Sequence, residues 1–103
     1  SPEQFIILPI SEKYLDYAKK VSQLLENHDI SGLIDDRNEK TGKKIRDAEL
    51  KKLPFMLVVG ENEEKDGTIS VRRRGEGDLG AMKLEDFVSY FKKASETGFE
   101  FKA

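Results

Sequence analysis

PFMLVVGENEEKDGTISVRRR, residues 54–74, is the stretch on which the fold turns. Pro54 opens and Gly60 closes a continuous apolar run, FMLVV, which reads as a strand buried on both faces. ENEEKDG then supplies only seven residues, too few for the crossover of a dozen or more that a parallel partner requires. The next strand, TISVRRR, is therefore expected to run antiparallel to its neighbour. Its period-two alternation sets Ile69 and Val71 on one face, and Thr68, Ser70, Arg72 and Arg74 on the other. Two arginines thus share a face expected to meet solvent, while Arg73 points away from them.

Working outward towards the start, QFIILPI at 4–10 reads as a buried strand ending at Pro9, and Ser11 is a good N-cap for a helix reaching about Asn27. Tyr14, Ala18, Val21, Leu24 or Leu25, and His28 form its apolar stripe. SGLIDDR at 31–37 reads as a second short strand. A second helix follows, with Ile45, Ala48 and Leu53 inward and Lys43, Lys44, Lys51 and Lys52 pointing elsewhere. Beyond the arginines lies the loop GEGDLGAM, with a short extra strand expected near Ala81. LEDFVSYFKKAS at 84–95 then reads as a helix with Phe87, Val88 and Phe91 inward. The tail ETGFEFKA carries no readable pattern. With no repeat, low-complexity tract or linker, residues 1–103 are expected to form one domain, an α/β layer fold around a mostly parallel sheet.

The chain carries a formal charge of -2, and 37% of its residues are charged. It contains no cysteine, which excludes disulfides, thiolate nucleophiles and cysteine-ligated zinc and points to a cytoplasmic setting. The longest apolar run, FIILPI at 5–10, is too short for a membrane span. The overall acidity hides local clusters of the opposite sign. RNEKTGKKIR at 37–46 holds five Lys or Arg, namely Arg37, Lys40, Lys43, Lys44 and Arg46, against one Glu, and RRR at 72–74 adds three more. A polyanion responds to the local cluster rather than the sum, because salt screens charges beyond ~8 Å.

GEGDLG matches the G-x-G-x-x-G spacing of a dinucleotide cradle at Gly75, Gly77 and Gly80. A cradle belongs in the first strand–helix–strand unit, and here too little chain follows to supply the next parallel strand, so a turn is the expected reading. Asp35 and Asp36 read as a strand-end turn rather than a metal pair, which needs several converging oxygens. His28, the only histidine, cannot form a two-histidine zinc site or a triad, and it reads as a capping or half-buried residue. No nucleophile elbow or phosphate-binding P-loop is present. The basic helix face and the nearby arginines stand out instead, because the planar guanidinium fork can bond bidentately to phosphate or to a guanine edge. Two competing readings remain beside RNA binding: a nucleotide-binding domain using GEGDLG, and a charge-driven module for an acidic protein.

The motifs RNEKxGxKIR, P-[FY]-MLVVG, GT-x-x-VR-x-R and DLG-x-M occur in order across nearly the whole chain. In these it resembles the C-terminal anticodon-binding domain of bacterial threonyl-tRNA synthetase. Related glycyl, histidyl and prolyl enzymes share the fold and a similar strand; DLG-x-M together with RNEKxGxKIR is specific to the threonyl type. The resemblance implies a three-layer α/β/α fold with a mixed five-stranded sheet and one antiparallel strand. It also implies a start just after a linker from a catalytic domain, as a non-catalytic piece of a larger, homodimeric ligase. The parent would use ATP, magnesium and a catalytic zinc, with no cofactor in this domain, which alone would be a monomer.

The implied partner is the anticodon stem-loop of threonine tRNA, read chiefly at the guanine and uracil of its second and third anticodon positions. By position in the motifs, the implied base readers are Asn38, Glu63 and Arg72, with Arg46 and Lys52 contacting the backbone or loop. Arg37, Lys40, Lys43, Lys44 and Arg74 would make up a supporting basic surface. The sequence departs from the family at Lys52, where arginine is common, at Phe55, where tyrosine is common, and at Arg73, where a small residue is usual. Lysine at 52 exchanges fork geometry for a point charge, and Arg73 is expected to be structural.

Overall fold

The computed structural model describes residues 3–96. Its elements follow the order β1 (Phe5–Pro9), α1 (Leu15–Glu26), β2 (Gly32–Ile34), α2 (Thr41–Lys51), β3 (Phe55–Val59), α3 (Glu61–Asp66), β4 (Thr68–Arg73), β5 (Gly77–Lys83) and α4 (Leu84–Glu96). The five strands form one sheet in the order β2-β1-β3-β4-β5. β1 pairs in parallel with both β2 and β3, whereas β4 is antiparallel to β3 and to β5. β4 is thus the one strand running against the other four, as the short connector demands. That connector is itself a short helix, α3.

Ser11 caps a 3-10 turn, Glu12–Tyr14, by accepting from the backbone N–H of Lys13 at 3.2 Å, and the turn runs directly into α1. The buried stripe of α1 is Ala18, Val21 and Leu25. His28, expected at the end of that stripe, is exposed instead, because α1 has already ended and its backbone N–H closes the terminal turn on Leu25 O.

The odd-numbered residues of β1 and β3, Phe5, Ile7, Phe55, Leu57 and Val59, point to one face together with Ile69 and Val71 of β4. There α1 and α4 cover them with Ala18, Val21, Leu25, Phe87, Val88 and Phe91. Phe55 and Phe87 meet edge to face, with centroids 5.3 Å apart. Tyr17 fastens α1 to the sheet by donating its hydroxyl to Thr68 O at 2.7 Å; burial, and then the nearby Glu63 and Glu64 charges, hold its pKa above the ordinary tyrosine value. The opposite face carries a smaller cluster, Ile6, Leu8 and Met56, covered by Ala48 of α2 with Ile45 and Leu53 beside it. Helices on both sides make the three layers.

GEGDLG makes the turn expected after the arginines, and its last four residues, 77–80, already belong to β5. Its glycines take φ of +85°, +83° and +88° at Gly75, Gly77 and Gly80, in the left-handed region where side chains are strained. The first two shape the hairpin. The third lies where the β4–β5 register shifts: Val71 pairs with Gly80 but Arg72 with Asp78, so Leu79 has no partner. The strand expected near Ala81 is the seven-residue β5.

Candidate nucleic-acid interface

β4 sends successive side chains to opposite faces, so its two neighbouring arginines meet different surroundings. Arg73 pairs with Phe55 and lies on the larger core's side. Its guanidinium donates to Tyr90 Oη at 2.7 Å, sits 5.9 Å from the centroid of Phe55 and reaches Glu76 at 3.3 Å. That is a structural arginine. Arg72 pairs with Met56, which places it on the α2 side beyond the smaller apolar cluster. Its side chain keeps 32% of its exposure, and its ion pair to Asp78 is a long 3.8 Å. Its Nε is buried without a hydrogen-bond partner among the described residues.

Arg72 lines a cleft of about 240 Å³ between the C-terminal part of α2 and the β4–β5 hairpin, with Glu49, Leu53, Met56, Arg74 and Gly77 among its walls. Drug-sized ligands occupy pockets of roughly 300–1,000 Å³, so this cleft suits one aromatic ring system and not a dinucleotide. Its lining combines apolar Leu53 and Met56 with the three successive arginines 72–74 and one acid, Glu49.

Glu63 reaches the same side of the sheet from α3. Its Oε1 accepts from the backbone N–H of Gly60 at 2.8 Å, and its Oε2 accepts from Ser70 Oγ at 2.9 Å. Ser70 precedes Arg72 by one pleat on the same face of β4. The Ser70 anchor shows in the sequence only as a small hydroxyl on the arginine face, since its partner arrives only when α3 folds back over the strand. A carboxylate offers about four lone-pair positions, so Glu63 retains acceptor capacity for a ligand.

The remaining expected residues lie along α2. Asn38 is exposed in the loop before it, Arg46 is exposed on the helix itself, and Lys52 closes it in the left-handed conformation at φ 60°. An 11-residue helix is about 16 Å long, so Asn38 and Lys52 bracket a line of contacts rather than converging on one point. Lys40 and Lys43 are exposed beside its first turn, and Arg74 is exposed in the hairpin.

Two members of the expected basic surface are otherwise employed. Lys44 is 2% exposed, and its ammonium donates to Pro9 O at 2.9 Å and to Asp35 O at 3.3 Å. It stitches the C-terminal ends of β1 and β2 to α2, so its place on the surface is corrected to an interior one. The lysine alternation could not reveal this, because the two carbonyls that satisfy it come from distant segments. Arg37 remains half exposed, but its fork clasps Asp35 through Nε at 2.9 Å and Nη2 at 2.8 Å, and reaches Asp47 at 3.1 Å. Those bonds hold both carboxyls below the ordinary aspartate pKa and raise that of the guanidinium. Asp35 also accepts from the backbone N–H of Arg37, the strand-end turn expected of it.

Comparison with known proteins bears on this arrangement. A family model described as the anticodon binding domain matches residues 4–94. A protein named Threonine--tRNA ligase from Flavobacterium johnsoniae is 63% identical over 90 residues, covering 85% of this chain and 14% of the relative. Its namesake from Cytophaga hutchinsonii is 58% identical over 92 residues, covering 89% and 14% respectively. Among solved structures, the RNA binding domain of threonyl-tRNA synthetase from Cryptosporidium parvum Iowa II superposes with a TM-score of 0.83 at 34% identity, covering 90% of this chain and 24% of that one. This chain therefore spans about a seventh of the length of those curated relatives.

Proposed function

The chain belongs to the anticodon-binding domain family, and from that premise we propose that it reads the anticodon loop of threonine tRNA as the C-terminal domain of a threonine–tRNA ligase. The observation that carries this reading is the α2–β4 cleft, which an incompletely paired Arg72 lines together with apolar Leu53 and Met56. Bases of a single-stranded loop can be splayed out, stacked on apolar or aromatic surface and read on their edges. Arg72 supplies donors to base carbonyls, Glu63 accepts from base N–H groups, and Asn38 offers one group of each kind. Arg46, Lys52, Lys40, Lys43 and Arg74 supply positive charge for the phosphates.

The parent enzyme joins threonine to the tRNA at the expense of ATP in a catalytic domain outside this chain. Among the described residues no group of three His, Asp or Glu is arranged to hold a metal ion. We place the parent in the cytoplasm as a dimer through its catalytic domain, with residues 1–103 as one monomeric reading domain. Among the described residues no helix is long and apolar enough to cross a membrane. The GEGDLG cofactor reading loses its support because that loop forms a hairpin and a bulge.

Fluorescence anisotropy with a labelled threonine anticodon stem-loop tests the proposal. Tighter binding of that loop than of one with its middle guanine changed to adenine is expected. Equal binding would leave only a phosphate-attracting surface, and no RNA binding at all would favour an acidic protein partner.

A further inference from the structure

Resting on that reading, we infer that Glu49 is a base-reading residue, and that Glu49 and Arg72 together make the cleft selective for guanine. Both residues line the same cleft, one from α2 and one from β4, together with Leu53 and Met56. Glu49 is exposed on the last turns of α2 and its carboxylate has no hydrogen bond or ion pair to any described residue. The neighbouring acids are less free. Glu63 is bound to Gly60 and Ser70, and Asp78 accepts from the backbone N–H of Gly80 at 2.8 Å. Glu49 is therefore an acceptor of the arginine's cleft that engages no described residue, and the buried Nε of Arg72 lacks a partner among the described residues.

A ring seated flat between these walls meets donors on one edge and a carboxylate on another. Guanine alone of the four bases has two adjacent acceptors, O6 and N7, beside two adjacent donors, N1–H and N2–H₂. The arginine fork matches the first pair and the carboxylate the second. Adenine would turn its N6 amino donors towards the guanidinium, leaving only N7 to accept from it, and its unprotonated N1 towards the carboxylate, which would stay unpaired. Uracil has one donor, N3–H, and no donor pair for the carboxylate. The cleft volume of about 240 Å³ accommodates one such base, and Leu53 and Met56 offer apolar surface to its face.

The test measures the affinity of the 103-residue chain for three stem-loops, with guanine, inosine or adenine at the middle anticodon position, in the wild type and in Glu49→Ala. Inosine differs from guanine only by the missing N2 amino group. The wild type is expected to bind the inosine loop roughly tenfold more weakly than the guanine loop. Glu49→Ala should bind those two alike, while still preferring both over adenine because Arg72 continues to read O6. Since Glu49 is exposed, the substitution leaves the core intact, and an unchanged thermal transition checks this. A Glu49→Ala protein that keeps the wild-type preference for guanine over inosine would overturn the inference and leave the anticodon reading standing, as would a wild type indifferent to the amino group. A wild type that binds all three loops equally would overturn the anticodon reading itself.

Discussion

The two faces of the sheet are built from the same strands but finished differently. On one, α1 and α4 close over a continuous apolar layer, and the single cation that β4 sends there, Arg73, is held by Tyr90 and stacked near Phe55. On the other, α2 alone covers Ile6, Leu8 and Met56, and the outer part of β4 is left with Ser70 and Arg72 beside a cleft. Adjacent residues of one strand thus divide the work: Arg73 is bound into the fold, and Arg72 is the one we propose for the ligand. The less fully covered side is the side with chemistry to offer, because a charge kept partly in water escapes the cost of full desolvation.

Several substitutions would break this division or sharpen it. The largest effect is expected from Phe87→Ala on the closed face, which should lower stability by ~3–5 kcal/mol in urea denaturation. The fraction that remains folded should still discriminate between stem-loops. The neighbouring arginines provide the sharpest contrast. Arg72→Ala should cost ~1–3 kcal/mol of preference for the matched loop with stability nearly unchanged. Arg73→Ala should leave the preference intact and lower stability by ~1–2 kcal/mol through its lost hydrogen bond and ring contacts. Exchange of these two outcomes would refute the assignment of faces.

Lys43 and Lys44 extend the comparison to α2. Lys44→Met removes the donor that satisfies two buried carbonyls, and should lower the thermal midpoint by an amount equivalent to ~1–2 kcal/mol. Lys43→Ala removes a surface charge whose partner is Asp47 at 3.5 Å, and should leave stability within ~0.5 kcal/mol while making the salt dependence of RNA binding shallower by about one unit of slope. The smallest effect concerns acid. Bonding from Arg37 lowers the Asp35 pKa in the folded state, so its contribution is present above the ordinary carboxylate value near ~3.9 and is lost as pH falls through the lowered folded value. Asp35→Asn should therefore cost ~1 kcal/mol near neutral pH and flatten the decline of stability below about pH 4, measured by urea denaturation across the acid range.

Much of the fold was legible because local rules and tertiary packing agree. The run FMLVV between Pro54 and Gly60, the short connector after it, and the alternation through Ile69 and Val71 fix strand, direction and face from neighbours in sequence alone. Arg73 was separable from Arg72 for the same reason. What was hidden depended on distant segments. Lys44 looks like its exposed neighbours until Pro9 and Asp35 are brought beside it. Ser70 meets Glu63 only when α3 delivers it, and Glu49 comes to line a cleft with Arg72 only when the hairpin lies against α2. The glycines of GEGDLG fit a cofactor spacing, but their positive φ serves a turn and a bulge. The extra residue Leu79, which makes that bulge, leaves no mark in an apolar pattern.

The central claim, that the α2–β4 side of the sheet reads bases, is tested most directly by an NMR amide-shift titration with the threonine anticodon stem-loop and with the loop carrying adenine in place of its middle guanine. The account predicts saturable shifts at Asn38, Glu63 and Arg72 that weaken with the altered loop, while Phe87 and Tyr90 on the closed face stay still. Equal shifts with both loops, or shifts centred on the closed face, would contradict it.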